Sequence, residues 1–392
     1  MKGSTRLASL GSYAFAEVDN LVASLRSQGI EPIDFGVGDP VDPTPSLVRS
    51  ACKAGVDERA AAGYPSYVGA SEYRDAVAAW AQRRFGLSLD PATEITSTIG
   101  AKEAVFHLPL AFVNPGEYTV SPNPYYPPYE RGTLFAGGHT HFLPLDEERG
   151  YQADLSAIPD DVLARTRILW LNYPSNPTGA LASKALYKEA VDLAVDHDII
   201  LVSDECYSEM YYDVVPHSAL EYGYENVLVV QSLSKRSNMT NYRVGWVMGD
   251  RDAVSLFRKV KTNIDSGTPT FVQDAAIAAL SDERHVSDMR EGYRRKRDIL
   301  CRALSDAGYP ECVPEATFYI WQRVPEGLDG VEVAKRLLDP SIGIVATPGA
   351  WIAKEVDGHN PGTQYLRFAL VPSIDACAQA AEKIRGADSL HP

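Results

Sequence analysis

Short apolar runs alternate with helix-spaced segments along most of this chain. Residues 94–98, 167–171, 199–202 and 227–231 are brief, rich in Ile, Leu and Val and flanked by turn formers, which predicts buried strands. Between them, residues 101–112, 183–197 and 252–261 have helical spacing and good helix formers. Such alternation predicts an α/β architecture, a mostly parallel sheet with helices on both faces.

The pattern changes towards both ends. Gly38-Asp39-Pro40-Val41-Asp42-Pro43-Thr44-Pro45 cannot be helix and predicts an extended crossing segment. A single long helical pattern covers about 271–306, followed by strand-like stretches at 317–324 and 364–370. These predict a smaller α+β domain made of residues 1–45 and 286–392, beside a large domain of residues 46–285.

A length of 392 residues at 45% hydrophobic content allows a sizeable core and two domains. The formal charge of −15 repels nucleic-acid phosphate and anionic membranes, yet a few clustered cations can still dominate one pocket. Cys52, Cys206, Cys301, Cys312 and Cys377 form no CxxC pair, so reduced, mostly buried thiols are expected rather than disulfides or a zinc site. The N-terminus lacks the apolar stretch of a signal peptide and no apolar run approaches a membrane span, so a cytoplasmic location is expected.

In an open parallel sheet, ligands bind beyond the carboxyl ends of the strands. Four places qualify: Thr98 to Lys102, Asn172 to Gly179, Ser203 to Tyr207 and Ser232 to Lys235. Gly100-Ala101-Lys102 sits where strand turns to helix, which suits an anion or is simply a tight turn. Asp204 can pair with a ring cation or cap a turn. Lys235 follows an apolar run directly; a desolvated amine near other cations loses its proton and attacks carbonyls, whereas an exposed loop lysine does neither. His139 and His141 alternate in a strand-like stretch and suit a surface better than a metal. No GxGxxG after a strand, Walker loop, HExxH or GxSxG occurs, and no basic helix accompanies the core, which disfavours dehydrogenase, nucleotide hydrolase, zinc or serine hydrolase and DNA-binding regulator readings.

Three segments in order, Asn176-Pro177-Thr178-Gly179, Asp204-Glu205-Cys206-Tyr207 and Ser232-Leu233-Ser234-Lys235 with Arg243-Val244-Gly245-Trp246, resemble the fold type I, class I aminotransferases that depend on pyridoxal 5'-phosphate. The resemblance covers nearly the whole chain and implies a seven-stranded sheet and a homodimer with shared sites. Narrower likeness is divided. Ser12-Tyr13-Ala14-Phe15-Ala16-Glu17 and Ile33 to Pro40 look like LL-diaminopimelate aminotransferases, whereas Ser234-Lys235-Arg236-Ser237-Asn238 is similar to N-succinyl-diaminopimelate aminotransferases. Asn241 departs from both, which usually carry glycine there.

By this resemblance Lys235 joins the cofactor's aldehyde and moves the substrate proton, Asp204 pairs with the ring nitrogen, Asn176 and Tyr207 bond the ring oxygen, and Tyr126 stacks on the ring. Gly100, Ala101, Lys102, Ser232, Ser234 and Arg243 hold the phosphate, with Tyr64 contributed by the partner subunit. Arg367 grips the substrate carboxylate as a bidentate fork, assisted by the Gly38 N–H. The implied reaction is transfer of an amino group to 2-oxoglutarate, with diaminopimelate or its N-succinyl form as donor. Aspartate or broad transamination and a carbon–sulfur lyase remain alternatives, because Lys235, Asp204 and Arg367 serve all of them.

Overall fold

The computed structural model describes residues 3–8, 10, 16–387 and 390. The Ser12-Tyr13-Ala14-Phe15 part of the N-terminal motif lies outside them. Among the described residues the strands are β1 (Ile33–Asp34), β2 (Ile95–Thr98), β3 (Tyr118–Asn123), β4 (His139–Pro144), β5 (Thr166–Asn172) and β6 (Ile200–Asp204). They continue with β7 (Val227–Ser232), β8 (Gly245–Gly249), β9 (Tyr319–Arg323), β10 (Ile344–Val345), β11 (Thr347–Pro348) and β12 (Tyr365–Ala369).

Seven of these form one sheet in the order β2-β8-β7-β6-β5-β3-β4. All run the same way except β8, which is antiparallel to both its neighbours. The strands are apolar at successive positions because both faces are covered. Leu169, Leu171, Val227, Val229, Trp246 and Met248 pack on one side with helices Ser71–Phe85, Lys184–Asp196 and Thr270–Ser281. Ile168, Trp170, Leu228, Val230 and Val247 pack on the other with helices Ala101–Phe112 and Arg251–Lys261. Local sequence starts two of these helices: Ser183 accepts the Leu186 N–H, and Asp250 accepts those of Asp252 and Ala253.

The expected long helix at 271–306 is two helices, Thr270–Ser281 and Arg284–Asp306. Asp282 adopts an extended conformation and its carboxylate accepts the His285 N–H at 3.1 Å, so an acceptor inside the helical pattern ends one helix and starts the next. The antiparallel sheet β11-β12-β9 and the parallel pair β1-β10 lie outside the large sheet. Their core joins Phe35 from early in the chain to Leu300, Leu304, Ile320, Phe368, Cys377 and Ile384. Residues 38–45 contain no helix or strand. Cys377 is a buried residue and the other four are half-buried; all five are free, and burial raises the thiols of Cys206, Cys301, Cys312 and Cys377. His139 is exposed and His141 half-buried on β4, and no metal-type cluster occurs among the described residues.

Candidate active site

The sheet's strand order collects the four sequence segments at one edge. Asn172 ends β5 opposite Asp204, which ends β6; Ser232 ends β7 opposite Gly245, and Gly245 also faces Thr98 at the end of β2. Because β8 is reversed, its start rather than its end lies here, which delivers Arg243 to the same edge.

Lys235 lies in the single helical turn Leu233–Arg236 directly after β7. Ser232 accepts the Ser234 N–H at 3.1 Å and donates to the Ser234 Oγ at 2.9 Å, fixing that turn. Neighbouring side chains then part. Arg236 is buried against Glu283 and the Ala279 carbonyl, whereas the Lys235 Nζ donates to the Gly38 carbonyl at 2.5 Å and lies 5.3 Å from the Phe318 ring centroid. Burial lowers the Lys235 amine to about 8, with Arg367 and Arg243 pushing the same way and Asp39 and Cys206 opposing. Lys235 is therefore not an exposed loop charge.

Asp204 is buried, and its carboxylate accepts the Tyr129 O–H at 2.8 Å and the Cys206 N–H at 3.3 Å. Burial raises its pKa despite those bonds. A cationic N–H beside a buried acid in that condition would favour its charged form. The Tyr126 ring lies edge-on to Tyr129 at 5.8 Å and close enough to Asp204 for their charges to interact. The Tyr207 O–H is 3.1 Å from that of Tyr319, and burial raises both phenols.

Arg367, on β12, donates to Asn176 Oδ1 at 3.2 Å and to the Gly36 carbonyl at 2.9 Å, with its guanidinium 4.7 Å from the Tyr319 ring centroid. Its buried Nε has no partner among the described residues. A carboxylate would satisfy that donor. Gly38 takes part through its carbonyl, and its missing side chain makes room for Tyr319: a Cβ would fall 2.1 Å from the tyrosine oxygen.

Gly100 has φ 74° and precedes the helix Ala101–Phe112. A Cβ there would lie 2.4 Å from Arg243 Nη2, so only glycine lets the guanidinium close over this turn. Arg243 itself is exposed, with φ 54°, and donates to the carbonyls of Thr240 at 2.7 Å and Ile99 at 3.5 Å. Lys102 is exposed. Tyr64 is 88% exposed and meets none of the other residues of the site.

The edge thus gathers Gly100, Ala101, Ser232, Ser234, Lys235, Arg243, Asp204, Asn176, Tyr207, Gly38 and Arg367, while Tyr64 stays in solvent. Tyr319, Tyr129 and Gly36 belong to the same constellation and were not anticipated. The sequence carries a weak sign of Tyr319, an aromatic at an inward position of a strand-like run, two positions before Trp321.

The model for aminotransferase class I and II matches residues 30–384. The chain belongs to this family. It is an aminotransferase, 42% identical over 97% of its length to the LL-diaminopimelate aminotransferase of Aquifex aeolicus, of which 98% is covered. The corresponding enzyme of Halothermothrix orenii is 38% identical, with 99% of both chains covered. Among solved structures, an aminotransferase from Neisseria meningitidis superposes with a TM-score of 0.90 at 34% identity, covering 97% of this chain and 98% of that one. A probable N-succinyldiaminopimelate aminotransferase from Thermus thermophilus superposes at 0.87 with 30% identity, covering 95% and 99%. The aminotransferase has no helix, among its described residues, long and apolar enough to cross a membrane.

Proposed function

We propose that this aminotransferase uses pyridoxal 5'-phosphate at the edge described above, with LL-diaminopimelate as amino donor and 2-oxoglutarate as acceptor. The observation that carries the cofactor reading is the Lys235 amine, largely buried in the turn after β7 with its pKa lowered to about 8 and set among Asp39, Arg243 and Arg367. The donor set fits the group: Asp204 suits a ring N–H, the turn at Gly100 under Arg243 suits a phosphate, and the orphaned Arg367 Nε suits a carboxylate. The cofactor supplies an aldehyde that condenses with amines and a ring that takes up electrons when a proton leaves the substrate's α-carbon.

The protein does the rest. Arg367 and the Gly38 backbone orient the substrate carboxylate, and Lys235 Nζ carries the proton to and from the α-carbon. Asn176 turns its oxygen to Arg367, which leaves its amide nitrogen to donate, with Tyr207, to the ring oxygen. Tyr126 would pack against the ring, and Ala101, Lys102, Ser232, Ser234 and Arg243 would hold the phosphate with Gly100.

The diaminopimelate reading rests on full-length likeness to enzymes of that name. The same proposal places the protein in the cytoplasm as a homodimer, with Tyr64 completing the partner's phosphate site and with domains at 46–285 and at 1–45 with 286–392. Support comes from the exposure of Tyr64 and from the core that joins Phe35 to residues beyond 290. Assay of amino donors with 2-oxoglutarate tests it. LL-diaminopimelate should be preferred over its N-succinyl form and over aspartate, and Lys235→Ala should abolish turnover; equal rates for aspartate overturn the substrate reading.

A further inference from the structure

Lys261 ends the helix Arg251–Lys261 and is wholly buried. Its Nζ donates to both Glu103 oxygens at 3.0 Å and to the Asp265 oxygens at 2.8 and 3.0 Å. One cation between two anions so deep in a protein is costly to assemble, and breaking it strands a charge. What the two carboxylates hold explains its place. Glu103 Oε2 accepts the Ile99 N–H at 2.5 Å, which pins the turn carrying Gly100. Asp265 Oδ1 accepts the Gly267 N–H at 2.6 Å, and Thr268 donates to the Thr98 carbonyl at 3.0 Å.

The second arm reaches further. Gly267 sits so close to the segment after Tyr64 that a Cβ would meet the Ser66 carbonyl at 2.6 Å, and the Val68 carbonyl accepts the Ser97 N–H at 3.0 Å. Burial pushes the Glu103 carboxyl up, but His107, Lys261 and the Ile99 N–H outweigh burial and hold it below its ordinary value. Glu103 is thus a charged acceptor, kept so from behind.

We propose that Lys261 is a positioning residue for the phosphate end of the site: through Glu103 it fixes the Ile99–Gly100 turn, and through Asp265 the loop that braces the Tyr64 segment. This rests on the cofactor reading above. The polar partners of the Lys261 amine, Glu103 and Asp265, are not among the proposed phosphate ligands, so its effect passes through backbone geometry. Substituting it should weaken binding of the phosphorylated cofactor while sparing that of its phosphate-free form.

The test compares cofactor-free wild type and Lys261→Met, titrated with pyridoxal 5'-phosphate and with pyridoxal and followed by absorbance. The variant should lose about 10- to 100-fold in affinity for the phosphorylated form, the scale of losing a partner behind a ligating group, with pyridoxal affinity changed less than about twofold. Equal losses for both compounds, or no loss for either, overturn the proposal. Should Lys261→Met fail to fold, Glu103→Gln combined with Lys261→Met removes the cation with its more buried anion and faces the same two criteria. Wild type that binds neither compound overturns the cofactor reading instead, and this inference with it.

Discussion

A lysine amine is a nucleophile only when neutral, and at Lys235 burial does most of the work of neutralising it. Its pKa of about 8 gives the sign: the charged form dominates below that pH and the attacking form above it. Capture of pyridoxal phosphate by cofactor-free protein, followed by stopped flow, should therefore accelerate through pH 8; a midpoint near that of an ordinary lysine contradicts the assignment. Gly38 offers a second check. Gly38→Ala drives a Cβ into the Tyr319 oxygen, and Tyr319 in turn supports Tyr207 and underlies Arg367. kcat/KM should fall roughly 10- to 100-fold, while stability falls by only about 1–3 kcal/mol, measured by denaturant titration. Lys235, Asp204 and Arg367 were legible in the sequence because each follows an apolar run or stands in a motif. Tyr319 was not, since its position depends on β9 pairing with β12 across some forty residues of intervening chain.

Elements whose pattern is local were read closely: residues 101–112 form one helix with the bounds that spacing gave. Those that depend on partners were harder. β3 holds Thr119, Ser121 and Pro122, which break the apolar run, yet it lies between β5 and β4, and its pairing with β5 ends at Val120, short of the proline. At the end of β6, Glu205 ties strand to loop by accepting from Ser203 at 2.9 Å, Ser218 at 3.1 Å and the Ala219 N–H at 2.9 Å. Burial outweighs these bonds and raises its pKa to about 8 from 4.5. The folded state then binds more protons than the unfolded one between those values, so the group's contribution to stability is present at low pH and declines as pH rises towards 8. Glu205→Gln keeps the acceptor without the charge. It should gain stability on the order of a few kcal/mol at pH 8 and close to nothing at pH 4, by thermal unfolding at both; a gain independent of pH contradicts this.

At the scale of the whole molecule, net charge was uninformative about the site: a chain at −15 brings Lys235, Arg243 and Arg367 to one sheet edge, which only the strand order reveals. The small sheet adds Arg367 and Tyr319 to that edge, where Gly38 meets Tyr319 and the Lys235 amine. Tyr64, exposed in one chain, is expected to meet a second. Sedimentation should give twice the chain mass of 42.8 kDa, and Tyr64→Phe should weaken cofactor retention without dissociating the dimer. The central claim is that Lys235 is the residue joined to the cofactor. Protein incubated with pyridoxal phosphate, reduced with borohydride and digested should yield one modified peptide, with the adduct on Lys235. Protein that stays colourless and unmodified, or carries the adduct on another lysine, contradicts it.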